Sequence, residues 1–245
     1  MLCNPYAIFR ELLSNSEFDN FTHVWVVDDR VGNEPVMEQF ADHNNIYVIR
    51  RHSNDHLKYL ATAHYIISNV SLPFYYCKKP GQIFVNTWHG TPIKSLGYDI
   101  PGSAATISNV LRNMLSADYM ISANPFLTEV YLDKYKLRGL YNGSIIEEGY
   151  PRNDRLLNCP KEEIKSLLLK YGIELEKDKQ VILYAPTWKG ADYNKPEVNP
   201  DDYYNFKREL EEYIDTDKYQ ILLKPHQVVY KAVSYTHLRA HETAA

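Results

Sequence analysis

Short apolar runs, each followed by a helical stretch with its own start signal, recur along this chain and leave few folds open to it. Val24-Trp25-Val26-Val27-Asp28, Ile46-Tyr47-Val48-Ile49, Tyr65-Ile66-Ile67-Ser68, Ile83-Phe84-Val85 and Tyr119-Met120-Ile121-Ser122 read as strands, and Ile145-Ile146 as a short one. Helices are expected between them. Asn4 as cap and Pro5 at the first helical position open one through about Leu13, and the same cap chemistry returns at Asn124-Pro125, opening a helix to about Tyr135. Others are expected at residues 35–40, after Ser53 or Asn54, and at residues 105–115. Strands and helices alternating at this spacing imply a parallel sheet with crossover helices.

The alternation pauses at Glu147-Glu148-Gly149-Tyr150-Pro151-Arg152-Asn153-Asp154, which reads as a domain junction, and then resumes. A helix starts at Pro160 with Glu162-Glu163 in its first turn, and Gly172 ends it after Tyr171. The strand Val181-Ile182-Leu183-Tyr184-Ala185, a helix over 201–214 and the strand Gln220-Ile221-Leu222-Leu223 follow. The expected architecture is therefore two α/β units, one before and one after that junction.

Chemistry concentrates where strands end. Trp88-His89-Gly90 leaves the carboxyl end of the Ile83-Phe84-Val85 strand, and Thr91 and Pro92 are a good cap and first residue for a new helix. A helix start offers unpaired N–H groups to an anion, and Lys94 adds charge nearby. The plainer reading leaves His89 bonded to a loop carbonyl and Gly90-Thr91-Pro92 as a cap. The strand-end position, the glycine and a second site of the same kind favour function. That second site is Lys224-Pro225-His226, at the end of the last strand, with Pro186-Thr187-Trp188 ending the strand before it. Histidines, lysines and Arg152 along a cleft between two α/β units would suit a diphosphate, and a histidine can act as general base near neutral pH.

Several function classes drop out. Net charge is −4 over 245 residues, which argues against bulk nucleic-acid binding and confines any anion site to a local patch. Cys3, Cys77 and Cys159 are far apart and lack metal-ligand spacing, pointing to a reducing compartment. No apolar run nears the ~18 residues of a membrane helix, and the chain enters a helix at once rather than a secretory signal, so membrane association is expected to be peripheral. His52, His56 and His64 are close in sequence but lack the accompanying carboxylate of a zinc-protease helix, so a solvated helix face is expected and no metal. Neither a dinucleotide-type nor a P-loop glycine motif is present. The aromatic and basic stretch 72–82 reads first as a packed connection, with contact to an acidic or membrane-bound partner as the second reading.

Asn86-Thr87-Trp88-His89-Gly90-Thr91-Pro92-Ile93-Lys94, Gly149-Tyr150-Pro151-Arg152-Asn153-Asp154, Leu183-Tyr184-Ala185-Pro186-Thr187-Trp188 and Lys224-Pro225-His226, in that order, resemble the CDP-glycerol glycerophosphotransferases of teichoic-acid and capsule synthesis. The resemblance implies a GT-B-like α/β architecture of two Rossmann-type domains, an acceptor-side first domain over residues 1–150 and a CDP-donor second domain over residues 151–232. It implies transfer of glycerol phosphate from CDP-glycerol (or ribitol phosphate from CDP-ribitol) to a hydroxyl of a lipid-linked polyol-phosphate acceptor, with release of CMP and no cofactor. The work would be done at the cytoplasmic face of the membrane. His89 would be the base. His226, the second catalytic residue, would with Lys224 and Arg152 hold the diphosphate and offset charge on the leaving CMP, Thr187 and Trp188 would line the donor side, and Trp88, Gly90, Thr91, Lys94 and Asn153 would complete the substrate contacts. A GT-B glycosyltransferase using a nucleotide sugar, and a non-catalytic nucleotide- or anion-binding remnant, are the alternatives. The resemblance stops near residue 232. Residues 233–245 resemble translated sequencing-adapter read-through, so the second domain is expected to be incomplete and the chain a fragment that is inactive as it stands. The amino end is expected to lack its first strand, leaving an exposed sheet edge.

Overall fold

The structure, a computed structural model, describes residues 3–27, 40, 42–102, 104–187, 189–192, 195–197, 200–226 and 229. The chain divides into two compact units, Met1–Asn158 and Cys159–Ala245. The helix expected over 35–40 lies, save for Phe40, outside the described residues, as do Trp188 and the 233–245 tail.

The first unit opens with α1 (Asn4–Ser14), in which Pro5 takes the second helical position and not the expected first. Its N-cap is Cys3, without a side-chain cap bond, so Asn4 does not cap the helix; its amide is used elsewhere. The buried face of α1, Tyr6 and Phe9, packs with Phe40, Ile46 and Trp25, Phe9 meeting Trp25 edge-on at 5.1 Å. Trp25 and Ile46 belong to β1 (His23–Val27) and β2 (Ile46–Arg50), a parallel pair in which His23 faces Ile46. Ser53 caps α2 (Asn54–Thr62) by accepting from His56 N–H at 3.2 Å.

Four strands follow in a fully parallel sheet whose spatial order repeats the chain order: β3 (Tyr65–Ser68), β4 (Ile83–Asn86), β5 (Tyr119–Ile121) and β6 (Ser144–Ile146). Between β4 and β5 runs α3 (Ser108–Ser116). Between β5 and β6, α4 (Pro125–Glu129), capped by Asn124, passes into a π-helical turn, Val130–Lys134. The core lies against this sheet, with Phe84, Met114, Leu127 and Leu137 fully buried.

The β3–β4 connection holds no helix. A loop that packs against the core must satisfy its backbone polar groups, and α3 does this. Arg112 donates to the carbonyls of Tyr76 and Pro73, Asn109 donates to Leu72 O, and Asn113 accepts from Leu72 N–H at 2.8 Å. Lys78 pairs with Asp118, whose second oxygen accepts from Phe84 N–H at 2.7 Å. The stretch 72–82 is thus a packed connection, with Phe74 left 81% exposed.

The helix expected from Thr91-Pro92 is not there. The chain instead runs irregularly to a 3-10 turn, Gly97–Asp99. Gly97 takes φ +60°, and a Cβ there would lie 2.2 Å from Lys134 O, so the segment is drawn onto the π turn. Asp99 and Lys134 pair beside it at 2.8 Å. Contact with that turn prevails over local helix-start chemistry.

A 3-10 turn, Pro151–Asn153, leads into α5 (Asp154–Asn158), which closes the first unit. The division falls after Asn158 rather than after residue 150, because the Pro151–Asn153 turn is bonded back to α1. In the second unit α6 (Lys161–Lys170) ends as expected at Gly172, φ +75°, with Gly172 N–H bonded to Leu169 O and Ile173 N–H to Leu168 O. The strand β7 (Gln180–Tyr184) pairs in parallel with the last strand among the described residues, Tyr219–Leu223. An antiparallel hairpin, β8 (Lys189–Asp192) with β9 (Lys195–Glu197), was not foreseen. After it come α7 (Pro200–Tyr213) and that last strand, β10.

Candidate active site

The carboxyl ends of β3, β4, β5 and β6 lie side by side, and the loops leaving them build one site. Asn86 ends β4 and its Oδ1 accepts from Trp88 N–H at 3.1 Å. Thr87 is fully buried and its N–H bonds Ser68 O at 2.9 Å, extending the ladder with β3. Trp88 then turns the chain at φ +50°, a left-handed conformation that a bulky residue adopts only when its surroundings impose it. Those surroundings are aromatic: Tyr131 meets the indole edge-on at 5.8 Å and Tyr135 at 6.0 Å. The turn brings His89 out of the core, exposed, its ring stacked on Trp88 at 4.4 Å.

His89 Nδ1 lies 2.9 Å from Asn69 O, in the loop leaving β3. A carbonyl can only accept, so Nδ1 carries the proton and the neutral ring keeps its lone pair on Nε2. Carbonyl pairing was the bland reading of this histidine. In the structure the same contact also fixes the tautomer, leaving Nε2 unprotonated. Gly90 has no positive φ, and a Cβ there would meet nothing within 4 Å, so the chain's own packing does not demand a glycine at this point. Thr91 Oγ1 lies 3.5 Å from the Asn124 amide, beyond β5.

The loop after β6 completes the edge. Gly149, at φ +91°, bonds Ser122 O and aims Tyr150 inward. The Tyr150 hydroxyl is buried and has no hydrogen bond of ordinary geometry among the described residues. Burial pushes it up from the usual phenol value. Arg152 and the nearby Gly90 N–H and Thr91 and Tyr131 hydroxyls act the other way. The Arg152 guanidinium lies over the Tyr150 ring, 5.1 Å from its centre, and Asn153 N–H bonds Tyr150 O at 2.8 Å.

Asn4 joins these parts. Its amide is 1% exposed; Nδ2 donates to Thr87 O at 3.0 Å and Trp88 O at 3.3 Å, and Oδ1 accepts from Arg152 N–H at 3.4 Å. Trp88, His89, Gly90, Thr91, Arg152 and Asn153 are thus gathered at one sheet edge, whereas Lys94 lies further along an exposed stretch. Asn4, Asn69, Thr87 and Tyr150 escaped sequence reasoning. The Asn4-Pro5 pair was visible, but its helix-start meaning hid the long-range one.

In the second unit Tyr184 and Leu223 are register partners at the ends of β7 and β10. Thr187 and His226 each lie three residues beyond, at neighbouring strand ends. Thr187 and Lys224 are exposed and His226 is partly buried, and Lys224 N–H bonds Tyr184 O at 2.9 Å. The expected partner Trp188 lies outside the described residues. Among the described residues no group of histidines, cysteines and carboxylates is placed to hold a metal ion. His56 is buried and accepts His52 N–H.

Parallel α/β units with functional groups at their strand ends define a broad class, and solved structures narrow it. The chain matches wall teichoic acid polymerase TagF with a TM-score of 0.70 and 28% identity, over 99% of this chain and 57% of that one. A TagF variant soaked with CDPG matches with a TM-score of 0.69 and 26% identity, over 99% and 56%. The chain belongs to the CDP-glycerol:poly(glycerophosphate) glycerophosphotransferase family, whose model matches residues 1–243. That match runs into the 233–245 stretch set apart above. Relatives include the teichoic acid poly(glycerol phosphate) polymerase of Bacillus spizizenii, 32% identical over 96% of this chain and 58% of the relative. The teichoic acid glycerol-phosphate transferase of Staphylococcus aureus is 29% identical over 92% and 57%. The chain therefore spans somewhat more than half the length of these relatives.

Proposed function

We propose that the protein containing this chain transfers glycerol phosphate from CDP-glycerol to a hydroxyl of a lipid-linked, teichoic acid-type acceptor. The observation that carries this is the His89 imidazole at the β4 end, with Nδ1–H committed to Asn69 O and Nε2 left as base. In the proposed step Nε2 takes the proton of the acceptor hydroxyl. The hydroxyl oxygen bonds the glycerol-bearing phosphorus of the donor, the bond from that phosphorus to the bridging oxygen breaks, and CMP leaves with the electron pair. Phosphoryl transfer asks mainly for positioning and charge stabilisation. Arg152 in the first unit, with Lys224 and His226 in the second, are assigned to the diphosphate, Thr187 and Trp188 to the donor side, and Trp88, Gly90, Thr91, Lys94 and Asn153 to the remaining substrate contacts.

On this reading the two units make a GT-B-like pair, acceptor side first and donor side second, and the enzyme works peripherally at the cytoplasmic membrane face. Family membership and the TagF soaked with CDPG support the donor. Among the described residues no helix is long and apolar enough to cross a membrane. The test is CMP release from CDP-glycerol in the presence of a polyol-phosphate acceptor. Release that disappears in His89→Ala, with donor binding retained, supports the reading. Loss of donor binding instead moves His89 to the diphosphate, and release of UDP from a nucleotide sugar replaces the reaction altogether.

A further inference from the structure

We infer that Asn4 is a positioning residue for His89, holding the histidine loop in register with the Tyr150–Arg152 turn; the inference rests on the reaction proposed above. Asn4 sits in the first turn of α1, more than eighty residues from the loop it holds. The orientation of its amide is unambiguous: Thr87 O and Trp88 O can only accept, and Arg152 N–H can only donate.

The two carbonyls matter because of what lies between them and the base. Trp88 occupies a left-handed conformation that a bulky residue keeps only while its surroundings hold it, and His89 is the next residue, stacked on its ring. If Trp88 relaxes toward an extended backbone, the His89 ring leaves the indole and its Nδ1–H leaves Asn69 O. The other arm of the amide fixes the backbone of Arg152, whose guanidinium covers Tyr150. One side chain thus sets the distance between the base and an assigned diphosphate ligand. Loss of an anchor at 1% exposure takes a buried donor from two carbonyls at once, so it is felt at the loop.

The test uses the full-length enzyme and Asn4→Asp, which keeps the size and the Oδ1 acceptor but opposes carboxylate oxygen to the two carbonyls. CMP release should fall about 10- to 100-fold in kcat, with KM for CDP-glycerol changed about twofold or less. In ¹⁵N spectra of the imidazoles, the His89 signal, assigned by its loss in His89→Ala, should pass from a single Nδ1–H tautomer to an averaged one. Met114→Ala, fully buried in the core but party to none of these hydrogen bonds, is the control that loses stability while retaining kcat and tautomer. Should Asn4→Asp not fold, Asn4→Ser is read the same way, with a smaller kcat loss. An unchanged kcat and tautomer in the Asn4 variant, with only the melting temperature lowered, overturns the inference. Should the wild-type enzyme release no CMP, the proposed reaction fails on its own, and the tautomer comparison alone decides the role of Asn4.

Discussion

His89 leaves β4, which is bonded to β3 on one side and β5 on the other, whereas His226 leaves β10, which pairs with β7 alone among the described residues. Phe84 in β4 is fully buried. In β7, Val181 is 44% and Leu183 58% exposed, and α6 buries no residue. The same device, a parallel strand delivering a histidine from its carboxyl end, is therefore built with two degrees of support. The contrast is one between described residues: the chain spans somewhat more than half the length of its relatives, so the support seen around β7 and β10 is that of this chain and not of the whole protein. The proposed roles differ as well: a base must sit within a fraction of an ångström of a proton, while a cationic ligand of a diphosphate works through charge.

The sharpest way to break that comparison is to remove each histidine. His89→Ala should lower kcat for CMP release about 10²- to 10⁴-fold, the range expected of a general base, with donor affinity within about twofold. His226→Ala should weaken CDP-glycerol binding at least about tenfold, measured by calorimetry. Equal effects of both substitutions on binding would erase the division of roles.

Packing supplies the next test. Phe84→Ala removes a fully buried ring between paired strands and should cost about 3–5 kcal/mol in urea unfolding. Leu183→Ala, at 58% exposure, should cost under about 1 kcal/mol. Hydrogen exchange should follow the same order. Amides of β4 and β5 should be protected longer than those of β7 and β10, because the flanking ladders and the buried core must open first. Comparable protection in the two units would mean that contacts outside the described residues support β7 and β10.

How much of this was legible follows from what is local. Strand runs, the Ser53 and Asn124 caps and the Gly172 stop are written in periods and turn residues, and each appears where those signals stand. His89 was legible as a strand-end residue, because Ile83-Phe84-Val85 and Gly90 flank it. What stayed hidden depends on partners far along the chain. Asn4 reads as a cap until Thr87 and Trp88 are seen beside it. Thr91-Pro92 reads as a helix start until Gly97 is seen against Lys134. The loop before β4 shows nothing of Arg112, which binds it from nearly forty residues away. The Asn69 carbonyl that sets the tautomer of His89 has no sequence signature, since any residue brings a carbonyl.

The smallest expected effect concerns acid, and it too belongs to the better-supported unit. His56 is lowered from the ordinary histidine value by burial first, and then by His52 and Arg51; His23 is lowered by burial. His23 Nε2 has no hydrogen-bond partner among the described residues, and His56 Nδ1 already accepts His52 N–H. Both are therefore held neutral in the folded state. In the unfolded chain each takes up a proton around the ordinary value of about 6.5. The unfolded state then binds more protons, so stability is fully present above that value and declines as pH falls through it, levelling off below the folded values. The urea midpoint of the first unit, followed by Trp25 and Trp88 fluorescence in a Trp188→Phe background, should drop between pH 7.5 and 5.5, by less than Phe84→Ala lowers it. His56→Gln should reduce the slope of that drop, because one of the two protons is no longer taken up on unfolding. A midpoint that rises on acidification would mean these histidines gain a charged partner in the folded state, and the burial that distinguishes the first unit would not be what sets their ionisation.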